Sequence, residues 1–151
     1  MQQLSDDIDQ LEETLRKLFG YLKRPHHWQH ISSLAKVNVD RPSASIIHLI
    51  VNSKEQKRTV NELAELIGVE APSISRKVQE LELQGLVKKV RSVTDRRAMY
   101  IQATAKAVKV DDHIKKARRS MAEKALSDWS DKDRKLLVEL MDRYVEDLIK
   151  Q

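Results

Sequence analysis

The sequence predicts a mainly α-helical protein with one small β-hairpin, two closely spaced helices just before that hairpin, and longer helices at both ends. Three observations predict this. Apolar residues recur at intervals of three and four over most of the chain, the period of a helix with one buried face. That period lapses after Gly85, where "LVKKVRS" and "AMYIQAT" hold β-branched and apolar residues in short runs on either side of a polar tip, Ser92 to Arg97. Aromatic residues make up only 4% of the chain and there are 3 Gly, which argues against a large β-sandwich or a Gly-rich nucleotide fold.

The elements follow in order. Leu4, Ile8, Leu11, Leu15, Leu18 and Leu22 alternate spacings of four and three, giving a first helix with a heptad seam and charged outer faces. Such a helix packs either on its own domain or on a second subunit, and periodicity does not separate the two. Pro25, within "RPHHWQH", interrupts it, and a second short apolar stretch runs from Ile31 to Val37. In "VDRPSASIIHLIV", Asp40 is placed to cap a third helix and Pro42 suits its first turn, with Ile46, Ile47, Leu49 and Ile50 central to the core. "SKEQKR", Ser53 to Arg58, reads as a solvated connection.

Thr59 and Glu62 then form the T-x-x-E capping box of a further helix, for which Leu63, Leu66 and Ile67 provide a buried stripe. Gly68 stands just past its end, where a left-handed backbone is needed. The chain restarts at once in "VEAPSISRKVQELELQG", with Pro72 in the first turn and Gly85 at the close. Two helices joined by so short a turn make a helix-turn-helix, and the small Ala64 suits their close crossing. A helix-turn-helix followed by a hairpin is a winged helix. From Thr104 to about Leu126 the helical period returns, with Val110, Ile114, Ala117 and Met121 on one face. Ser130 and Asp133 resemble a cap for a last helix that would bury Leu137, Leu140, Met141, Tyr144 and Leu148.

Composition narrows the function classes. Hydrophobic residues are 40% and charged residues 34% of 151, enough for a core under a heavily charged surface. The net charge of +5 suits an anionic partner. Without cysteine there is no disulfide, zinc–thiolate site or thiol redox sensor. No apolar run reaches membrane-spanning length, and the acidic, amphipathic "MQQLSDDIDQLEETL" is unlike a signal or transit peptide, so a cytoplasmic protein with no membrane partner is expected. No H-E-x-x-H motif and no nucleophile–base pair stand out, so no enzyme is expected.

The second helix of the pair carries the candidate interface. At roughly 100° per residue, Ile74, Val78 and Leu81 fall on one side and Arg76 points almost directly away. Ser73, Ser75, Lys77 and Gln79 accompany it. Hydroxyls and a positively polarised helix N-terminus bind phosphate, and Arg pairs with guanine in the major groove. Surface Ser and Arg are ordinary on any solvated helix; their place in a helix-turn-helix favours double-stranded DNA. In the hairpin Lys88, Lys89, Arg91, Arg96 and Arg97 are basic and only Asp95 is acidic. A narrow minor groove attracts Arg, and Asp95 is spaced to hold the Arg97 guanidinium through paired hydrogen bonds.

The stretch "TVNELAELIGVEAPSISRKVQELELQGLVKKVRSVTDRRAMYIQAT", Thr59 to Thr104, resembles the MarR family of winged-helix regulators. Its marks are L-A-x-x-(I/L)-G, S-R-x-V-x-x-L-x-x-x-G-L-V and the wing motif D-R-R. The resemblance is strong in the middle third and extends to the ends by pattern alone. Ala103 and Ala107 depart from the usual L-T-x-x-G, and Glu70 stands where a Ser or Asp cap is frequent, which weakens the cap and sets a negative charge near the expected DNA. The resemblance implies a homodimer on a palindromic operator, repressing transcription until a small ligand changes the distance between its DNA-binding lobes. Residues 1–38 and 104–151 would form the dimerisation region and 39–103 the DNA-binding region of one continuous domain.

The resemblance also places an effector pocket between the dimerisation helices and the DNA-binding lobe. Tyr21, His27, Trp28, His30 and His48 are candidates there, a set of aromatic walls and imidazole donors suited to an apolar or phenolic ligand. No resident cofactor is expected. One alternative is a zinc-responsive regulator of the same fold, since His26, His27 and His30 lie close together, although only His113 is offered by the final helices. A winged helix serving RNA or protein contacts is another.

Overall fold

The computed structural model describes residues 2–95 and 97–151. Its compact units are Met1–Ala117 and Arg118–Gln151. The first contains helices α1 (Gln2–Lys23), α2 (Pro25–Ala35), α3 (Arg41–Val51), α4 (Val60–Ile67) and α5 (Ala71–Leu83), strands β1 (Lys57–Arg58), β2 (Val87–Arg91) and β3 (Met99–Ala103), and the start of α6 (Ala105–Ala125). The second holds the end of α6 and α7 (Asp131–Ile149).

Local chemistry sets the helix ends. Asp40 caps α3 by accepting the Ser43 N–H at 2.8 Å. The capping box of α4 is reciprocal: Thr59 Oγ1 accepts from Glu62 N–H at 3.2 Å, and Glu62 Oε2 accepts from Thr59 N–H at 2.7 Å. Gly85, at φ +70°, reverses the chain after α5. There the Leu86 N–H bonds to Leu81 C=O at 2.9 Å and the Gly85 N–H to Glu82 C=O at 3.0 Å, a Schellman closure that also packs Leu86 under the helix. Glu70 makes no side-chain cap for α5, as its chemistry leads one to expect.

The core of the first unit lies where α3, α4 and α5 meet the sheet. Ile47, Ile50, Leu63, Leu81, Leu86 and Ile101 are among its buried side chains. Each such residue contributes about 1.5–3 kcal/mol through loss of apolar surface to water. Ala107, at the usual glycine position of the motif, is fully buried in this core, so the extra methyl serves as packing.

The sheet has three antiparallel strands in the order β1-β3-β2. The third strand corrects the reading of "SKEQKR" as a plain connection: Lys54–Gln56 form a 3₁₀ turn, and Lys57 and Arg58 pair with Gln102 and Ile101. Two residues are too few to show alternation, and the pairing is held from outside the segment. Arg58 Nε donates to the Leu49 carbonyl at 3.0 Å, and the Lys57 ammonium lies 5.0 Å from the centre of the Tyr100 ring.

Two further expectations change, and the apolar face of α6 gains a buried carboxylate. Leu66 is exposed, and Leu63 and Ala64 are the buried residues of α4. On α6, Val110 and Met121 are only half-buried, while Asp111 is buried beside Ala107, Ile114 and Ala117. In α7, Leu137, Leu140, Met141 and Leu148 are exposed and Tyr144 is half-buried. On α1, Leu4, Ile8 and Leu18 are likewise exposed.

Candidate nucleic-acid interface

Helix α5 turns Ile74, Val78 and Leu81 into the core, and that fixes which residues face out. Ser73, Arg76 and Gln79 are exposed and Ser75 is half-buried. Lys77 behaves differently from its neighbours. Its ammonium lies 2.8 Å from Asp40 Oδ2 and 2.6 Å from Glu80 Oε2, and its side chain is only 22% exposed. The hydrogen bonds to Asp40 and Glu80 raise the Lys77 pKa further into its charged range. For Asp40, burial opposes the charged form, but bonds from Lys77 and Ser43 outweigh it and lower its pKa.

The wing is an ordered turn. Ser92 Oγ accepts from the Asp95 N–H at 3.1 Å, and the Ala98 N–H donates to the Asp95 carbonyl at 3.0 Å. Asp95 Oδ1 accepts from the Arg97 backbone N–H at 2.9 Å. Among the described residues, Asp95 therefore braces Arg97 through the backbone, where sequence reasoning expected the guanidinium. Arg91 and Arg97 are exposed, with Arg91 opposite Met99 at the outer end of the ladder. Lys88 and Lys89 are both exposed, and Lys89 pairs with Glu82 of α5 at 3.1 Å. Arg96 lies outside the described residues.

The residues expected to meet an effector do different things. Tyr21 sets its ring edge-on to His27, with centroids 4.8 Å apart, joining α1 to α2. Trp28 Nε1 donates to the Val39 carbonyl at 3.1 Å. His30 is exposed. His48, on α3, reaches Asp111 of α6 at 2.9 Å. Among the described residues no group of three or more His, Asp or Glu side chains converges as metal ligands. A groove of about 580 Å³ opens elsewhere, between α3, α4 and α5, where Ile46, Ile67, Val69 and Ile74 meet Arg41 and Arg76.

Sequence reasoning missed two constellations. One joins Asp40 to Lys77, 37 positions apart. The other surrounds Asp111, which accepts from His48, from Asn52 Nδ2 at 3.2 Å and from Lys115 at 2.8 Å. Its signal was present in the sequence as a lone carboxylate on the apolar face of α6.

Comparison with known proteins agrees with this geometry. Residues 37–98 match the sequence model of the MarR family. No curated protein matches the sequence. Among solved structures the chain is similar to a MarR family protein from Bacillus stearothermophilus, at 19% identity over 97% of this chain and 98% of that one, with a TM-score of 0.82. It is similar to the transcriptional regulator BldR from Sulfolobus solfataricus, at 25% identity over 93% and 96% of the two chains and a TM-score of 0.68. It is also similar to RV1404 from Mycobacterium tuberculosis, at 20% identity over 93% and 92% and a TM-score of 0.73. Residues 37–98 thus match the MarR family model, and nearly the whole chain has the winged-helix fold of the solved structures to which it is similar.

Proposed function

We propose that the protein is a homodimeric, sequence-specific DNA-binding regulator of transcription, acting in the cytoplasm as a repressor on a palindromic operator. The observation that carries this reading is the outward face of α5. Arg76 stands exposed opposite the buried Ile74, Val78 and Leu81, on the helix that precedes a wing bearing exposed Arg91 and Arg97. In the major groove, Arg76 would donate to guanine O6 and N7 while Ser73, Ser75 and Gln79 contact phosphate or base edges. The wing would reach the flanking minor groove with Arg97, and Arg91 and Arg96 would neutralise phosphate or share that groove.

The dimer would be built by residues 1–38 and 104–151, leaving 39–103 to bind DNA. Its support is the exposed apolar seam of α1 and the exposed apolar face of α7, each of which a second subunit would cover. Two reading helices related by a dyad need half-sites about one helical turn apart. A small apolar or phenolic effector, met by Tyr21, His27, Trp28, His30 and His48, would release DNA by binding one spacing of the lobes better than the other.

The test is selection of genomic DNA fragments by the purified protein, followed by competition with duplex RNA. Recovery of one recurring inverted repeat, bound in preference to RNA, is the expected result. Retention of all fragments equally, or preference for RNA, would overturn the reading.

A further inference from the structure

Lys77 lies on the proposed reading helix, where a lysine is ordinarily taken for a phosphate contact. Its ammonium is turned back into the protein, onto Asp40 at 2.8 Å. Asp40 is a well-anchored point. One carboxylate oxygen accepts the Ser43 N–H that caps α3, and the other takes Lys77. Its two neighbours in the chain are held as well. The Val39 carbonyl accepts from Trp28 Nε1 of α2 at 3.1 Å, and Arg41 Nη1 donates to the Leu22 carbonyl of α1 at 2.7 Å. Val39–Arg41 is thus a junction with direct bonds to α1, α2 and α5.

A helix packed through three apolar side chains, Ile74, Val78 and Leu81, keeps some freedom to roll about its axis, because apolar contact is not directional. A charge-assisted hydrogen bond from the next residue after Arg76 is directional and restricts that freedom. A roll of the helix would shift the long Arg76 side chain at its tip, and paired hydrogen bonds to a base edge tolerate little displacement.

We infer that Lys77 is a positioning residue, which sets the roll of α5 against the Val39–Arg41 junction through Asp40 and so aims Arg76, and that it makes no phosphate contact. The inference rests on the reading of α5 as the DNA-contacting helix. It also ties the aim of that helix to α1 and α2 through one short segment.

The two roles for Lys77 predict opposite signs at Asp40. Asparagine at that position still caps α3 but loses the charge that ties Lys77 to the junction, leaving Lys77 only Glu80 of its own helix, which does not link α5 to α3. If Lys77 positions, Asp40→Asn weakens DNA binding about tenfold, Lys77→Met does the same, and the double variant is no weaker than the worse single one. Lys77→Arg recovers most of the affinity. The salt dependence of binding keeps the wild-type slope in all of them, since no phosphate contact is lost. If Lys77 contacts phosphate, Asp40→Asn leaves binding unchanged or tightens it, and Lys77→Met lowers the salt slope by about one. That second pattern overturns the inference.

The measurement is fluorescence anisotropy with a labelled duplex carrying the inverted repeat recovered from genomic fragments, between 50 and about 200 mM salt. Melting temperatures of each variant, measured alongside, identify any that lose affinity by unfolding; Asp40→Asn that is folded and still binds as wild type also overturns the inference. Wild-type protein that binds no duplex at all defeats the reading of α5 itself, a result distinct from either pattern.

Discussion

Asp111 Oδ1 accepts a hydrogen bond from His48 Nδ1 at 2.9 Å, joining the middle of α6 to α3 across 63 positions of sequence. A carboxylate only accepts, so Nδ1 must carry the proton in that bond. Asn52 and Lys115 take the other oxygen, and Lys115 also donates to Asn52 Oδ1 at 2.8 Å. Burial of Asp111 opposes its charge, and the bonds from Lys115, His48 and Asn52 overcome this, so its pKa is lowered.

The sign of the pH dependence follows. A carboxylate whose folded pKa lies below its unfolded value, about 3.9, contributes stability above that value and loses it as pH falls through the folded one. Wild-type protein should therefore exceed Asp111→Asn in stability at neutral pH, and the gap should close below about pH 4. Thermal unfolding of both proteins across that range is the check; a constant gap would show that the charge contributes nothing.

Removing His48 tests the same network from its exposed end. His48→Ala takes one donor from a buried carboxylate and should cost about 1–2 kcal/mol, with solvent and Lys115 compensating part of the loss. Urea unfolding at neutral pH measures it. No change would mean that water replaces the imidazole completely.

At the wing, Arg97→Ala should weaken operator binding strongly while leaving the oligomeric state as it is. Asp95→Ala should reproduce part of that defect, because Asp95 Oδ1 accepts the Arg97 N–H and holds the turn. Binding titrations at moderate salt, with sedimentation beside them, decide this. Wild-type affinity for Arg97→Ala would remove the wing from recognition.

Arg76→Ala should cost about 1–3 kcal/mol of binding to the best site and relax discrimination at one position in each half-site. A set of duplexes, each with one base pair changed, gives the measurement. An equal loss on every sequence would assign Arg76 to phosphate instead.

For the dimer, deletion of residues 2–23 should yield a poorly folded monomer that no longer binds the full repeat. Sedimentation equilibrium and circular dichroism read the two parts separately. A well-folded, DNA-binding monomer would exclude α1 from the interface.

The local pattern determined much of this protein without help. The T-x-x-E box, the Asp40 and Ser130 caps, and Gly68 and Gly85 at positive φ each involve residues within a few positions of one another, so their chemistry is written in adjacent letters. The period-3.6 stripe of α5 likewise showed that Arg76 faces out. Tertiary structure decided what depends on residues far apart. Lys57 and Arg58 became a strand only because β3 lies beside them, and a two-residue run has no period of its own. Lys77, one position from Arg76, was given to Asp40, since an ammonium on a flexible stem takes the carboxylate that folding brings near. Asp111 could be seen in the sequence as out of place on an apolar face, and Lys115 of its own helix is one of its partners, but the His48 and Asn52 donors reach it only through the tertiary fold.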